Sequence, residues 1–222
     1  TVDLIWEART YTPPFYKGKA MYTPQEKITF VAMPNIINKS GSFVPPNTVT
    51  YKWSQNNTVM GDYSGFGIQS FYHKGSILMT PVDIDVEAKA PDGSIAKNYL
   101  TLSPTSPEIA FYENNSLYGI LFNTEISNGF DFGDKEERSV STFPYFFSGD
   151  TKANYYLSYK WGINGNPIDV PTNQTGMTFR NTENLEGRSI ISITVNNINN
   201  FLQSASNAMV INFQKPKKVF SF

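Results

Sequence analysis

The chain has 222 residues, 40% hydrophobic and 15% aromatic, with 18 Lys and Arg against 19 Asp and Glu and a net charge of −1. That balance leaves no electrostatic case for a nucleic-acid partner. Without a single cysteine, thiol catalysis, disulfides and thiolate metal sites are excluded together.

The opening residue is Thr1 rather than Met, which predicts a processed or excised form and is compatible with removal of a signal peptide upstream. No apolar run reaches the length of a membrane-spanning helix. In chain order, the first predicted strand is Asp3–Glu7. A Pro-Pro turn with heavy aromatic flanking follows: Tyr11, Pro13, Pro14, Phe15 and Tyr16. Residues 27–33 alternate apolar and polar and stop at Pro34, as a half-buried strand does. A polar loop through Pro45 and Pro46 leads to a strand around Trp53. A glycine-rich stretch (Gly61, Gly65, Gly67) precedes Ile68–Tyr72. Val82, Ile84 and Val86 alternate toward Asp92-Gly93, a hairpin dipeptide, and Ala96–Leu102 answers them. The linker Ser103–Pro107 carries two prolines and reads as extended and semi-stiff.

Beyond it the plan recurs. Trp161 lies 108 positions after Trp53, in Leu-Ser-Tyr-Lys-Trp-Gly against Val-Thr-Tyr-Lys-Trp-Ser. The strand 138–144 answers the one ending at Pro34. Asn164-Gly165 is a second hairpin dipeptide, and Thr178-Phe179 reads as a short strand. Val82, Ile84 and Val86 align with Ile191, Ile193 and Val195, and Leu100 and Leu102 with Met209 and Ile211. Only 201–208 hints at a helical period, over a segment short enough to be a bulge or loop. One folding unit is copied once. Each copy offers about seven short strands with turns every 8–12 residues, the pattern of an immunoglobulin-like sandwich. The expected fold is all-β: two tandem immunoglobulin-like (PKD-like) β-sandwiches, residues 1–104 and 105–222.

Four features are candidates for chemistry. Asp83, Asp85 and Glu87 share one face of a strand, opposite Val82, Ile84 and Val86. Such carboxylates serve glycoside hydrolysis or hold calcium through oxygen ligands. The aligned positions of the second copy, Ser192, Thr194 and Asn196, carry no acid, which favours a solvated strand face. His73, the only histidine, sits at a strand end with no Gly-x-Ser-x-Gly or His-x-x-x-His companion, so no catalytic residue is assigned. The aromatics Trp6, Tyr11, Phe15, Tyr16, Tyr22, Tyr63 and Phe66 either pack within the scaffold or meet a ligand, and the loop-like Tyr11–Tyr16 stretch either folds back on its own strand, docks on the second unit or binds a partner. Of these, Tyr11, Phe15, Tyr16, Tyr63 and Phe66 are the candidate binding residues, suited to a sugar ring or a partner's pocket. The tail 215–222, basic then aromatic, reads as a frayed strand end or as the edge of a membrane anchor lying beyond residue 222.

Asp3–Ala8, Tyr11–Ala20, the two Tyr-Lys-Trp strands and Pro144–Ser148 together resemble a group of bacterial envelope proteins of candidate-phylum type. That resemblance implies a signal peptide, tandem immunoglobulin-like or PKD-like domains and often a C-terminal membrane segment, and brings no catalytic residues. The expected function is therefore non-enzymatic: a secreted or envelope-exposed module for adhesion or surface structure, with a protein or glycan partner. A carbohydrate-binding or glycan-hydrolysing module and a self-assembling surface-layer or filament subunit remain as alternatives.

Overall fold

The structure, a computed structural model, describes residues 1–77, 79–133, 135–149, 156–182 and 186–214. The expected tail segment 215–222 lies outside the described residues. The chain divides into two compact units, one of residues 1–9 and 20–105, the other of 10–19 and 106–222. Residues 10–19 thus belong with the second unit, not with the stretch of sequence that surrounds them.

The first unit contains β1 (Val2–Ala8), β2 (Lys27–Pro34), β3 (Thr50–Gln55), β4 (Thr58–Val59), β5 (Gly65–Phe66), β6 (Ser70–Lys74), β7 (Val82–Lys89) and β8 (Ile95–Leu102). One sheet has the order β1-β2-β6; the other runs β4-β3-β7-β8, with β5 also on β3. Alternation sends Tyr51 and Trp53 of β3, Val82, Ile84 and Val86 of β7, and Ile28 and Phe30 of β2 into one shared core. Trp53 is fully buried, 5.0 Å from the Phe71 ring, and its Nε1 donates to the Ile68 carbonyl at 3.0 Å.

The second unit contains β9 (Glu108–Asn115), β10 (Gly119–Glu125), β11 (Gly129–Asp131), β12 (Glu137–Tyr145), β13 (Leu157–Ile163), β14 (Asn166–Pro167), β15 (Gly176–Arg180), β16 (Gly187–Asn197) and β17 (Ser204–Phe213). Its sheets run β10-β9-β12-β15 and β11-β17-β16-β13-β14. Residues 204–208, within the stretch that hinted at a helix, are strand, because Ser204 to Ala208 pair in unbroken register with Asn196 to Ser192. Trp161 again fills the core, and its Nε1 donates to the Gln174 carbonyl at 2.8 Å. Both units are immunoglobulin-like β-sandwiches: two sheets, antiparallel but for the parallel pairing of β11 with β17, whose core is centred on the tryptophan strand. The second adds β10 and β11 at its edges, and with eight strands in the first unit and nine in the second both exceed the seven or so expected. Among the described residues no helix is long and apolar enough to cross a membrane.

The strand register corrects the repeat alignment. Trp53 stands opposite Val86, which stands opposite Asn98; Trp161 stands opposite Ile193, which stands opposite Asn207. Asn98 and Asn207 play one role: each Nδ2 donates to the opening strand of the other sheet, to Val2 O at 2.8 Å and Ile109 O at 2.6 Å. Val86 therefore matches Ile193, and the sequence alignment of Ile84 with Ile193 is two residues out. The slip has a physical origin. Val86 to Asn98 spans 12 positions and Ile193 to Asn207 spans 14, so the second hairpin is two residues longer. A shift of two preserves strand alternation and so leaves the apolar pattern unchanged. The true counterparts of Asp83, Asp85 and Glu87 are Ile190, Ser192 and Thr194, still without an acid.

Counting from the paired ends Val2–Pro34 and Ile109–Pro144, Trp6 in the first unit matches Glu113 in the second. Glu113 is held by Arg138, whose guanidinium also donates to the Asp131 carbonyl at 2.7 Å and lies 4.3 Å from the Phe130 ring centre. Burial alone would raise the Glu113 carboxyl; Arg138, helped by Lys135, outweighs it and lowers the net value.

Candidate functional site

Segment 10–19 is bonded into the second unit by its backbone. Tyr11 N–H donates to Phe147 O at 2.7 Å, Phe146 N–H donates to Tyr11 O at 2.8 Å, and Thr10 bridges to Ser148. The Tyr11 side chain, 8% exposed, joins Ala110, Tyr112 and Phe143 in a small cluster. Those three residues point away from the main core because they alternate with Ile109, Phe111 and Thr142 along β9 and β12. The sheet's outer face is therefore apolar, and the segment covers it.

Pro13 and Pro14 then turn the chain. Tyr16 N–H donates back to Pro13 O at 3.2 Å, which places Phe15 third in the turn with φ of +66°. Glycine or asparagine is preferred there; a phenylalanine in the left-handed region carries about 1–2 kcal/mol of strain. The side chain is also 85% exposed, 6.0 Å from the Phe122 ring. Tyr16 sits edge-on to Tyr145 at 5.5 Å and to Phe146 at 6.0 Å. Beneath them Phe122, Phe143 and Tyr112 pack ring on ring, and the Tyr112 and Tyr145 hydroxyls are 2.8 Å apart. The result is an aromatic floor with Phe15 standing on it.

The phenols of Tyr11, Tyr145 and Tyr159 stay protonated at neutral pH. Burial pushes the Tyr11 hydroxyl up to about 12. It also raises Tyr145, aided by Tyr112, and raises Tyr159. Chemically the ridge offers apolar contact and ring stacking rather than proton transfer. A folded-state value above the unfolded one means the stabilisation is complete below the ordinary phenol value of 10.0 and is lost as pH climbs through the raised values. Ultraviolet titration of tyrosinate with circular dichroism is expected to show the second unit unfolding as these phenols ionise. Smooth titration of every tyrosine near 10 with the fold intact would contradict this.

The five aromatic candidates divide. Tyr11 is a packing residue, because its ring fills the cluster on β9 and β12. Phe15 and Tyr16 stand on the second unit. Tyr63 and Phe66 lie in the first unit: Tyr63 packs half-buried against Phe71 and Tyr72, and Phe66 is exposed on β5. The five therefore do not form a single cluster within either unit. His73 lies half-buried in β6 opposite Ile28, and burial lowers its value.

Geometry argues against calcium at Asp83, Asp85 and Glu87, the weaker alternative to a solvated strand face. Strand rise puts Asp83 and Glu87 about 13 Å apart, too far to share an ion. Thr101 donates to Asp83 at 2.6 Å and Lys97 pairs with Glu87 at 2.6 Å. Among the described residues no group of three His, Cys, Asp or Glu is placed to hold a metal. The acids instead form the middle column of a polar face. Lys52, Glu87 and Lys97 make one row across β3, β7 and β8; Ser54, Asp85 and Tyr99 make the next. They line an open groove of about 560 Å³. Tyr99, 76% exposed, was not among the sequence candidates, although the Asp92-Gly93 hairpin fixes the register that brings it opposite Asp85.

No family model matches the chain, and no curated protein matches it either. Among solved structures it is similar to the fibronectin(III)-like modules of Clostridium thermocellum CbhA. Identity there is 11% over 100% of this chain and 98% of that one, with a TM-score of 0.34. It is similar to the FN1–FN3 domains of chicken CNTN1 at 12% identity, 94% and 69% coverage and a TM-score of 0.28. Against Bacteroides ovatus SGBP-B in complex with a mixed-linkage heptasaccharide, identity is 10%, coverage 97% and 47%, and the TM-score 0.26.

Proposed function

We propose that this chain is a non-enzymatic binding protein of the cell envelope or exterior, an adhesion or surface-structure module, and that Phe15 and Tyr16 meet its protein partner. The observation that carries this reading is Phe15: a bulky apolar side chain held exposed on a strained backbone. Folding gains nothing from that combination, and strain of this kind gathers at sites of function. The flanking rings make Phe15 a rigid anchor that loses little freedom on entering an apolar pocket. The resemblance carried by Asp3–Ala8, Tyr11–Ala20, the two Tyr-Lys-Trp strands and Pro144–Ser148 supports the secreted or envelope setting.

Phe15→Gly separates binding from stability. Relief of strain offsets the greater freedom of glycine in the unfolded chain, so stability is expected to stay within about 1 kcal/mol. Selection of a displayed peptide library on the chain is expected to yield apolar and aromatic peptides that bind it and lose at least tenfold in affinity for Phe15→Gly. Peptides indifferent to Phe15 would remove it from the contact. Sedimentation equilibrium checks whether the partner is a second copy: a mass fixed at 25.0 kDa at high concentration counts against self-assembly.

A further inference from the structure

We infer that the outer face of β3, β7 and β8 in the first unit is a second binding site, and that it takes a neutral oligosaccharide. The duplicated fold supplies the control. By strand register Ser192 stands where Asp85 does, Thr194 for Glu87, Ser206 for Lys97 and Ala208 for Tyr99. At these four positions the second unit carries small uncharged residues, with Thr194 and Ser206 hydroxyls 2.8 Å apart, and of the groove's charges only that of Lys52 has a counterpart, in Lys160. The scaffold does not require an aromatic ring, two carboxylates and a lysine at these places, yet the first unit has all of them on one concave face.

The chemistry of that face selects the ligand. Lys52 and Lys97 balance Asp85 and Glu87, so the groove carries no net charge and favours a neutral molecule over an anion or cation. Glu87 is occupied by Lys97 and Asp83 by Thr101. Asp85 lies between them and, among the described residues, has no hydrogen-bond or ion-pair partner. A free carboxylate accepts two hydroxyl donors at once, which is what neighbouring hydroxyls on a sugar ring present. Beside it the Tyr99 ring offers a flat apolar surface for the C–H face of that ring. Ser54 and Lys52 add a hydroxyl and an ammonium donor on the other side. An open groove suits a polymer segment rather than an enclosed small molecule.

The test is a glycan array followed by calorimetry with the intact chain, using neutral gluco-, xylo-, manno- and galacto-oligosaccharides and uronate or sulfated glycans as the charged arm. A neutral oligosaccharide is expected to bind. Tyr99→Ala is expected to weaken it at least tenfold, Asp85→Asn to weaken it several-fold, and Tyr99→Phe to keep most of the affinity because the ring is what contacts the sugar. Phe15→Gly is expected to leave it unchanged. Tyr99 is exposed, so an unmoved thermal melt keeps lost binding distinct from lost folding. Binding to no glycan, binding to charged glycans alone, or affinity indifferent to Tyr99→Ala would overturn the inference. Affinity lost in Phe15→Gly and kept in Tyr99→Ala would overturn it too, moving the sugar to the aromatic ridge. Failure here leaves the Phe15 reading standing, since the two sites share no residue.

Discussion

Trp53→Ala is expected to destabilise the first unit by about 3–5 kcal/mol, and Trp161→Ala the second by a similar amount. Each substitution removes the largest side chain at the centre of a sandwich. For Trp53 the surrounding atoms belong to facing strands of both sheets, held by their own ladders, so the cavity collapses only in part. The indole N–H is lost as well. In the first unit it satisfies the Ile68 carbonyl and in the second the Gln174 carbonyl, each in the chain just before or after an outer strand. Freed of that bond, the loop loses its tie to the core, and the cost of an unmet polar group adds to the cavity. Amide exchange read strand by strand is the measurement. Protection is expected to fall in β2, β3, β6 and β7 for Trp53→Ala, and in β12, β13, β15 and β16 for Trp161→Ala. A loss under about 1 kcal/mol in either would mean that the tryptophan is not the keystone of its core.

Tyr11→Ala is the second large effect, about 3 kcal/mol, and it falls on the second unit although residue 11 lies more than ninety positions before that unit's first strand. The ring is buried against Ala110, Tyr112 and Phe143, and the backbone on either side is bonded to residues 146–148. Without it the cover on β9 and β12 loses its anchor, and an apolar sheet face opens to water. Binding of a hydrophobic dye and faster exchange in β9 and β12 are expected together. Tyr11→Phe is the discriminating control. The phenol is raised by burial alone, with no hydrogen bond among the causes, so removing its oxygen is expected to change stability by less than about 1 kcal/mol. A large loss in Tyr11→Phe would point to a buried bond at the hydroxyl instead.

The sandwich was legible because its signals are short-range. Tyr-Lys-Trp alternation, Asp92-Gly93 and Asn164-Gly165 each act within one hairpin, and Asn164 and Gly165 do adopt the paired left-handed turn such dipeptides favour. The match of Pro34 with Pro144 held as well: Pro34 ends β2 opposite Val2, and Pro144 stands one residue before the end of β12 opposite Ile109. What failed is long-range or invisible to periodicity. A two-residue difference in hairpin length leaves every alternating pattern intact, so Ile84 was set against the wrong isoleucine. Docking of the Tyr11–Tyr16 stretch on the second unit is one of the readings its composition leaves open, but nothing local tells which of its rings packs or that the strands it covers begin near residue 108. Tyr99 was passed over because a single aromatic in an alternating run reads as any strand residue. Only the pairing of β8 with β7 brings it beside Asp85.

The placement of residues 10–19 also sets a timetable. Tyr11 is synthesised more than 130 residues before Phe143, an interval on the order of ten seconds at ordinary elongation rates. During that time the first sandwich has its whole chain available, while the aromatic segment has nothing to lie on. The second sandwich, once made, cannot finish its outer face from its own contiguous sequence. The duplication that made two equal modules has therefore become a dependence running in one direction. The later unit borrows from the earlier, and an excision at the linker would not return a complete second unit.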